Sequence, residues 1–120
     1  MSGEESTDML DVEVYTRGTV TVVAARGEID IVSVPLLKSA FEQAENVGTM
    51  VVADLSGVGF MGSAGLSALL VAVEGTKPHQ LRVVVSSAVR RPIEVTGLDK
   101  MLALYDTLEA ALASGQPSAT

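Results

Sequence analysis

With 120 residues the chain has room for one hydrophobic core and not for two independent domains, and because aromatics make up only 3% against 48% hydrophobic residues, that core must be aliphatic. A net charge of −7 would repel nucleic-acid phosphates and anionic membrane surfaces, so neither is an expected partner. The chain has no cysteine, which excludes disulfides and thiolate chemistry, and its single histidine, His79, cannot build a metal site alone.

Residues 1–8 are polar, acidic and aperiodic, which predicts a flexible N-terminal tail. They have neither the basic nor the apolar region of a secretion signal, so the expected location is the cytoplasm. Leu10, Val12 and Val14 alternate with Asp11, Glu13 and Tyr15, the pattern of a strand with one buried face. A turn at Thr16-Arg17-Gly18 leads into a second β-branched run, 19–26, and the two predict an antiparallel hairpin. Gly27-Glu28-Ile29-Asp30 ends that strand, with Asp30 read from spacing alone as a turn residue.

Ser33 followed by Pro35 predicts a helix start, with Leu37, Ala40, Phe41 and Ala44 on one stripe and Gly48 as its stop. Residues 50–55 form a short apolar run that reads as a buried parallel strand. After a glycine-rich segment, Leu66, Leu69, Leu70 and Val73 recur at helical spacing and are expected to face the sheet. Gly75 and Pro78 end that helix. Residues 55–73 carry no charge, but their continuous helical part would rise only about 15 Å, half of a ~30 Å hydrocarbon core.

Residues 81–86 predict a fourth strand. Ser87 could cap a helix running to Thr96, although Pro92 would break its hydrogen-bond ladder and move the start to about Arg91. Arg90 and Arg91 read as a solvated helix start. A short fifth strand is expected at 101–104, and Asp106 to Glu109 resembles a capping box opening a last helix that ends by Gly115. The fold class is therefore α/β: one domain over residues 9–114, with a mixed sheet of roughly four to five strands and about four helices, and a loose tail at 115–120.

The segment Asp54-Leu-Ser-Gly-Val-Gly-Phe-Met-Gly-Ser-Ala-Gly-Leu66 is where chemistry is expected. Ser63 stands before an apolar helix face, where a serine serves as N-cap; the same free N–H groups also favour a phosphate, so its hydroxyl is a candidate phosphoryl acceptor. Gly57, Gly59 and Gly62 make a formal G-x-G-x-x-G between a strand and a helix, which would suit a small nucleotide-binding protein. The acidic residue that this fingerprint needs about 20 positions later is missing, since 81–87 holds no Asp or Glu. A G-x-S-x-G nucleophile elbow would require glycine where Met61 stands.

The same segment resembles the signature D-L-S-x-V-x-F-M-D-S-[SA]-G-L of STAS-domain anti-sigma factor antagonists, with Gly62 its one misfit, and Gly27-Glu-Ile-Asp30 resembles that family's G-E-[IL]-D. The resemblance implies a STAS fold for the domain. It further implies a protein that is not an enzyme and needs no cofactor. Such a protein binds an anti-sigma factor that is also a serine kinase, frees the sigma factor, and is switched off by phosphorylation at Ser63. The implied partner surface comprises Asp30, Gly62, Ser63, Ala64 and Gly65, and a PP2C-type phosphatase is the implied resetting partner. A monomer or weak dimer is expected. Gly62 stands where the pattern has aspartate, which predicts slow phosphorylation of Ser63 or a scaffold or sensor that is never modified.

Overall fold

The alternation of Leu10, Val12 and Val14 produces β1 (Leu10–Arg17), which pairs antiparallel with β2 (Val20–Ile29) across a turn where Gly18 adopts φ 62°. This computed structural model describes residues 10–113, so both expected tails and the end of the last helix lie outside the described residues. Helix α1 (Val34–Glu45) follows and buries Leu37, Ala40, Phe41 and Ala44, the stripe expected from spacing, together with Val34. Strand β3 (Met50–Met61) leads to α2 (Ser63–Gly75), β4 (Arg82–Val85) and α3 (Ser87–Thr96). A short 3-10 turn, Leu98–Lys100, then joins β5 (Ala103–Tyr105), and α4 (Leu108–Ala113) closes the described chain.

The five strands lie in the order β1-β2-β3-β4-β5, and every pair after the first is parallel. Right-handed crossovers that all step the same way place their helices on one face. Accordingly, Leu37 of α1, Leu69 of α2 and Val89 and Ile93 of α3 share one core with Val23, Ala53 and Val83 from the strands. The opposite face carries a smaller cluster, Val22, Val52 and Val84, covered by Ala111 of α4. Arg82 reaches across this face: its Nη1 donates to the Ala111 carbonyl at 2.6 Å, and its guanidinium lies 6.0 Å from the Tyr105 ring centroid. A buried guanidinium on a helix carbonyl is a strong, charge-assisted clamp.

Several details differ from the sequence reading, among them the fifth strand, expected at 101–104 and found at Ala103–Tyr105. Strand β2 ends at Ile29, within the expected Gly27–Asp30 stretch, but β3 does not stop at 55; it continues beside β2 to Met61, with Arg26 opposite Gly57 and Ile29 opposite Met61. The register slips twice on the way, so β3 carries extra residues and buries Leu55, Val58 and Met61 at a spacing that no simple alternation reveals. Gly27, at φ 114°, takes a backbone conformation closed to other residues beside the second slip.

In α2 the buried face is Gly65, Ala68, Leu69, Ala72 and Val73, while Leu66 is half-buried and Leu70 is 42% exposed. Small residues on this face seat α2 tightly against its neighbours, Gly65 against Ile29 and Met61 at the strand ends and Gly75 against Glu45 of α1, while Leu70 turns outward. Helix α3 starts at Ser87 and runs through Pro92. Ser86, not Ser87, caps it: its Oγ accepts from Val89 N–H at 3.3 Å and donates to the Val58 carbonyl at 2.6 Å. Burial of Val89 on one side of the proline and Ile93 on the other outweighs the lost backbone bond. At α4 the capping oxygen is Thr107 Oγ1, 3.0 Å from Ala110 N–H, while Asp106 is paired with Arg90.

Candidate functional site

The prolonged β2 and β3 carry two loops to the same end of the sheet. Gly62 N–H donates to the Ile29 carbonyl at 3.0 Å, which joins the residue before Ser63 to the residue before Asp30. Asp30 then organises its own loop. Its Oδ1 accepts from the N–H groups of Val32 at 3.0 Å and Ser33 at 2.9 Å, and its carbonyl accepts the first bond of α1 from Val34 at 2.8 Å. Ser33 Oγ closes the loop by donating to the Glu28 carbonyl at 2.8 Å and accepting from Asp30 N–H at 3.0 Å. The Ser33 N–H, foremost among these donors, holds the Asp30 carboxyl below the ordinary carboxylate range.

Ser63 is the first residue of α2, and Gly62 is its N-cap, with φ −89° and ψ −172°. The expected capping role of Ser63 is therefore wrong: the helix start has no side-chain cap bond, and Ser63 is exposed. The Gly62 carbonyl takes up the N–H groups of Gly65 at 3.0 Å and Leu66 at 3.3 Å, so the turn is closed by backbone alone. This leaves the Ser63 hydroxyl uncommitted to the cap, at the positive end of the α2 dipole.

The other expected site residues separate into two kinds. Asp30, Gly62 and Ala64 are half-buried around Ser63, whereas Gly65 is buried, with Met61 and Ile29 against it, and can only position the helix. Gly57 and Gly59 lie within β3 rather than in a turn after it, so the backbone lacks the tight loop on which a G-x-G-x-x-G holds a pyrophosphate. An open cavity of about 680 Å³, rimmed by Arg17, Thr49 and His79, lies at the opposite end of the strands. Ser63 stands on an open surface.

Three residues of this surface were not singled out by the sequence. Ile31 and Val32, directly after Asp30, are 79% and 70% exposed, and Phe60 is 50% exposed. The Phe60 ring lies 3.5 Å from the place a Gly62 Cβ would occupy, so it flanks the approach to Ser63. Their signal was present in part: an adjacent Ile-Val pair sits between a turn aspartate and a helix start, where neither α nor β periodicity gives it a place in the core. Clustered exposed apolar side chains of this kind mark protein contact surfaces.

The model of the STAS domain matches residues 11–111. The chain belongs to the STAS domain family. Among curated proteins it is 38% identical over 108 residues to the anti-sigma-F factor antagonist RsfB of Mycobacterium tuberculosis, covering 88% of both chains. Among solved structures it is similar to an anti-sigma factor antagonist from Mycobacterium paratuberculosis, at TM-score 0.84 and 40% identity, over 89% of this chain and 94% of that one. The STAS fold also extends to the Bacillus cell fate determinant SpoIIAA, solved in its phosphorylated form, at TM-score 0.64 and 20% identity, over 88% of this chain and 97% of that one. In this STAS domain no helix among the described residues is long and apolar enough to cross a membrane, and no group of His, Asp or Glu is placed to hold a metal ion.

Proposed function

We propose that this STAS domain is an anti-sigma factor antagonist that works by partner exchange, with Ser63 as its phosphorylation switch. The observation that carries the reading is the exposed Ser63 hydroxyl, free of any capping bond and flanked by exposed Phe60, Ile31 and Val32, in a chain 38% identical to a protein named as such an antagonist. In the unmodified state the apolar side chains dock on an anti-sigma factor and displace its sigma factor. Asp30 fixes the Ile31-Val32 loop in place, and Gly62 ties that loop to Ser63.

The anti-sigma factor acts in turn as a kinase. It binds ATP and magnesium itself and transfers the γ-phosphoryl group to Ser63 Oγ, with ADP as the leaving group and the hydroxyl proton passing to the kinase. This chain supplies only the acceptor and no catalytic group. The phosphoserine adds about −1.5 to −2 charges to the middle of an apolar contact, on a protein already at −7, and the complex separates. The free N–H groups at the start of α2 then stabilise the phosphate within the chain's own structure. A PP2C-type phosphatase resets the switch, and the exchange takes place in the cytoplasm.

Gly62 favours a second reading, in which the same surface docks a partner but Ser63 is never modified. The test is affinity capture of the anti-sigma factor by wild type, Ser63→Ala and Ser63→Glu. Capture by wild type and Ser63→Ala but not by Ser63→Glu is expected. Equal capture by all three would remove Ser63 from the interface and overturn the switch.

A further inference from the structure

We propose that β1 is a self-pairing edge, through which two copies of this chain join their sheets into one continuous antiparallel sheet across a two-fold axis. Among the described residues no strand pairs with the outer side of β1. Proteins usually blunt such edges with short strands, bulges, prolines or lysines. The far edge follows this rule, since β5 has only three residues, Ala103–Tyr105. Strand β1 is guarded by charge alone: it has eight residues, Leu-Asp-Val-Glu-Val-Tyr-Thr-Arg, with no proline and no lysine, it pairs with β2 without a slip in register, and its charges at Asp11, Glu13 and Arg17 are of both signs, so a second copy can match them.

The side chains of β1 also choose a partner. Alternation puts Asp11, Glu13, Tyr15 and Arg17 on one face, and Val12, Val14 and Thr16 on the other. A two-fold axis perpendicular to the sheet keeps faces together, so only registers that pair odd residues with odd, and even with even, are open to a second copy. Centring the axis on Val14 sets Asp11 opposite Arg17 of the second copy, Glu13 opposite Tyr15, Val12 opposite Thr16, and Val14 opposite Val14. Every cross-strand pair is then complementary, and the opposed charges occur twice by symmetry.

The neighbouring registers are worse. Centring on Glu13 opposes two carboxylates at the axis, and centring on Tyr15 shortens the pairing to 13–17. Asp11 already lies 3.4 Å from Arg26 through Oδ2, so in the dimer one carboxylate bridges two guanidiniums. Strand β2 separates β1 from β3, so the pairing leaves the Ser63 end of β3 open to a partner.

The decisive experiment uses two single variants and their mixture in sedimentation velocity. In Asp11→Arg the paired edges oppose Arg with Arg, and in Arg17→Asp they oppose Asp with Asp. Each variant alone should dimerise at least about tenfold more weakly than wild type, from two inverted pairs. Mixed in equal amounts, the two variants oppose opposite charges at every position and should form a heterodimer as tight as the wild-type homodimer. Circular dichroism of each variant confirms that it is folded. A wild type that stays monomeric at millimolar concentration would overturn the proposal, as would single variants that dimerise normally or a mixture that fails to associate.

Discussion

Replacing Gly65 by alanine exchanges a poor helix former for the best one, and in an exposed helix interior it would stabilise by about 1 kcal/mol. In α2 the opposite outcome is expected. The added methyl would stand 2.5 Å from Met61 Cγ, 2.8 Å from Ile29 Cγ2 and 3.0 Å from Met61 Sδ, within a buried seam. Contacts that short do not persist, so the helix, the end of β3 or the end of β2 must shift. Overpacking costs about 1–3 kcal/mol, and two clashing partners from different strands put this site in the upper half of that range. Net of the propensity gain, the loss is about 1–2 kcal/mol, which lowers the melting temperature of a domain this size by roughly 4–10 °C. Gly75 provides the control within the same helix. A methyl there would first meet the Glu45 carboxylate at 2.5 Å, the far end of a side chain that can swing away. Gly75→Ala should therefore be neutral or gain up to about 1 kcal/mol. Thermal melts and urea titrations of both variants decide the matter, and a Gly65→Ala protein as stable as wild type would refute the tight seam.

Further outcomes follow from the same structure. Leu69→Ala should cost about 2–5 kcal/mol by leaving a cavity, whereas Leu70→Ala should change stability by no more than about 0.5 kcal/mol; urea midpoints of the two variants would expose a wrong helix rotation. Ser86→Ala removes the cap of α3 and strands the Val58 carbonyl, so a loss of about 1–3 kcal/mol is expected, and a value near zero would show that neither bond contributes. Gly62→Asp should fold at least as well as wild type: the position has an ordinary extended φ of −89°, a Cβ meets nothing closer than 3.5 Å, and aspartate is a better N-cap. The same substitution should speed modification of Ser63 by the kinase, measured by intact mass after incubation with ATP, and a rapid, complete reaction of the unsubstituted protein would contradict the role given to Gly62. Because the folded protein lowers the Asp30 carboxyl, the native state binds fewer protons there than the unfolded chain. That loop's stabilisation is complete above about pH 4 and is lost as pH falls through the lowered folded value. Amide exchange at Val32 and Ser33 should accelerate over that acid range in wild type and show no such step in Asp30→Asn.

Residues whose burial obeys a local period could be read directly from the chain. The alternation of Leu10, Val12 and Val14 determined β1, the spacing of Leu37, Ala40, Phe41 and Ala44 determined α1, and the motif around Ser63 determined the family. Each signal lies within one element, because side-chain direction repeats every two residues in a strand and every 3.6 in a helix. Tertiary structure alone decided the rest. The extension of β3 to Met61 depends on pairing with β2 some thirty residues earlier, and its two register slips erase the alternation that would have announced it. The rotation of α2, with Gly65, Ala68 and Ala72 inward and Leu70 outward, follows from its packing against α1 and the strand ends, and no hydrophobicity pattern weights those small residues above leucine. Helix α3 begins before its proline because Val89 and Ile93 are buried on either side of it and its cap, Ser86, is held by Val58, contacts between residues far apart in sequence. The surface around Ser63 was only partly legible: the Ile31-Val32 pair falls outside any α or β period, but that it and Phe60 stay uncovered is settled by elements elsewhere in the chain.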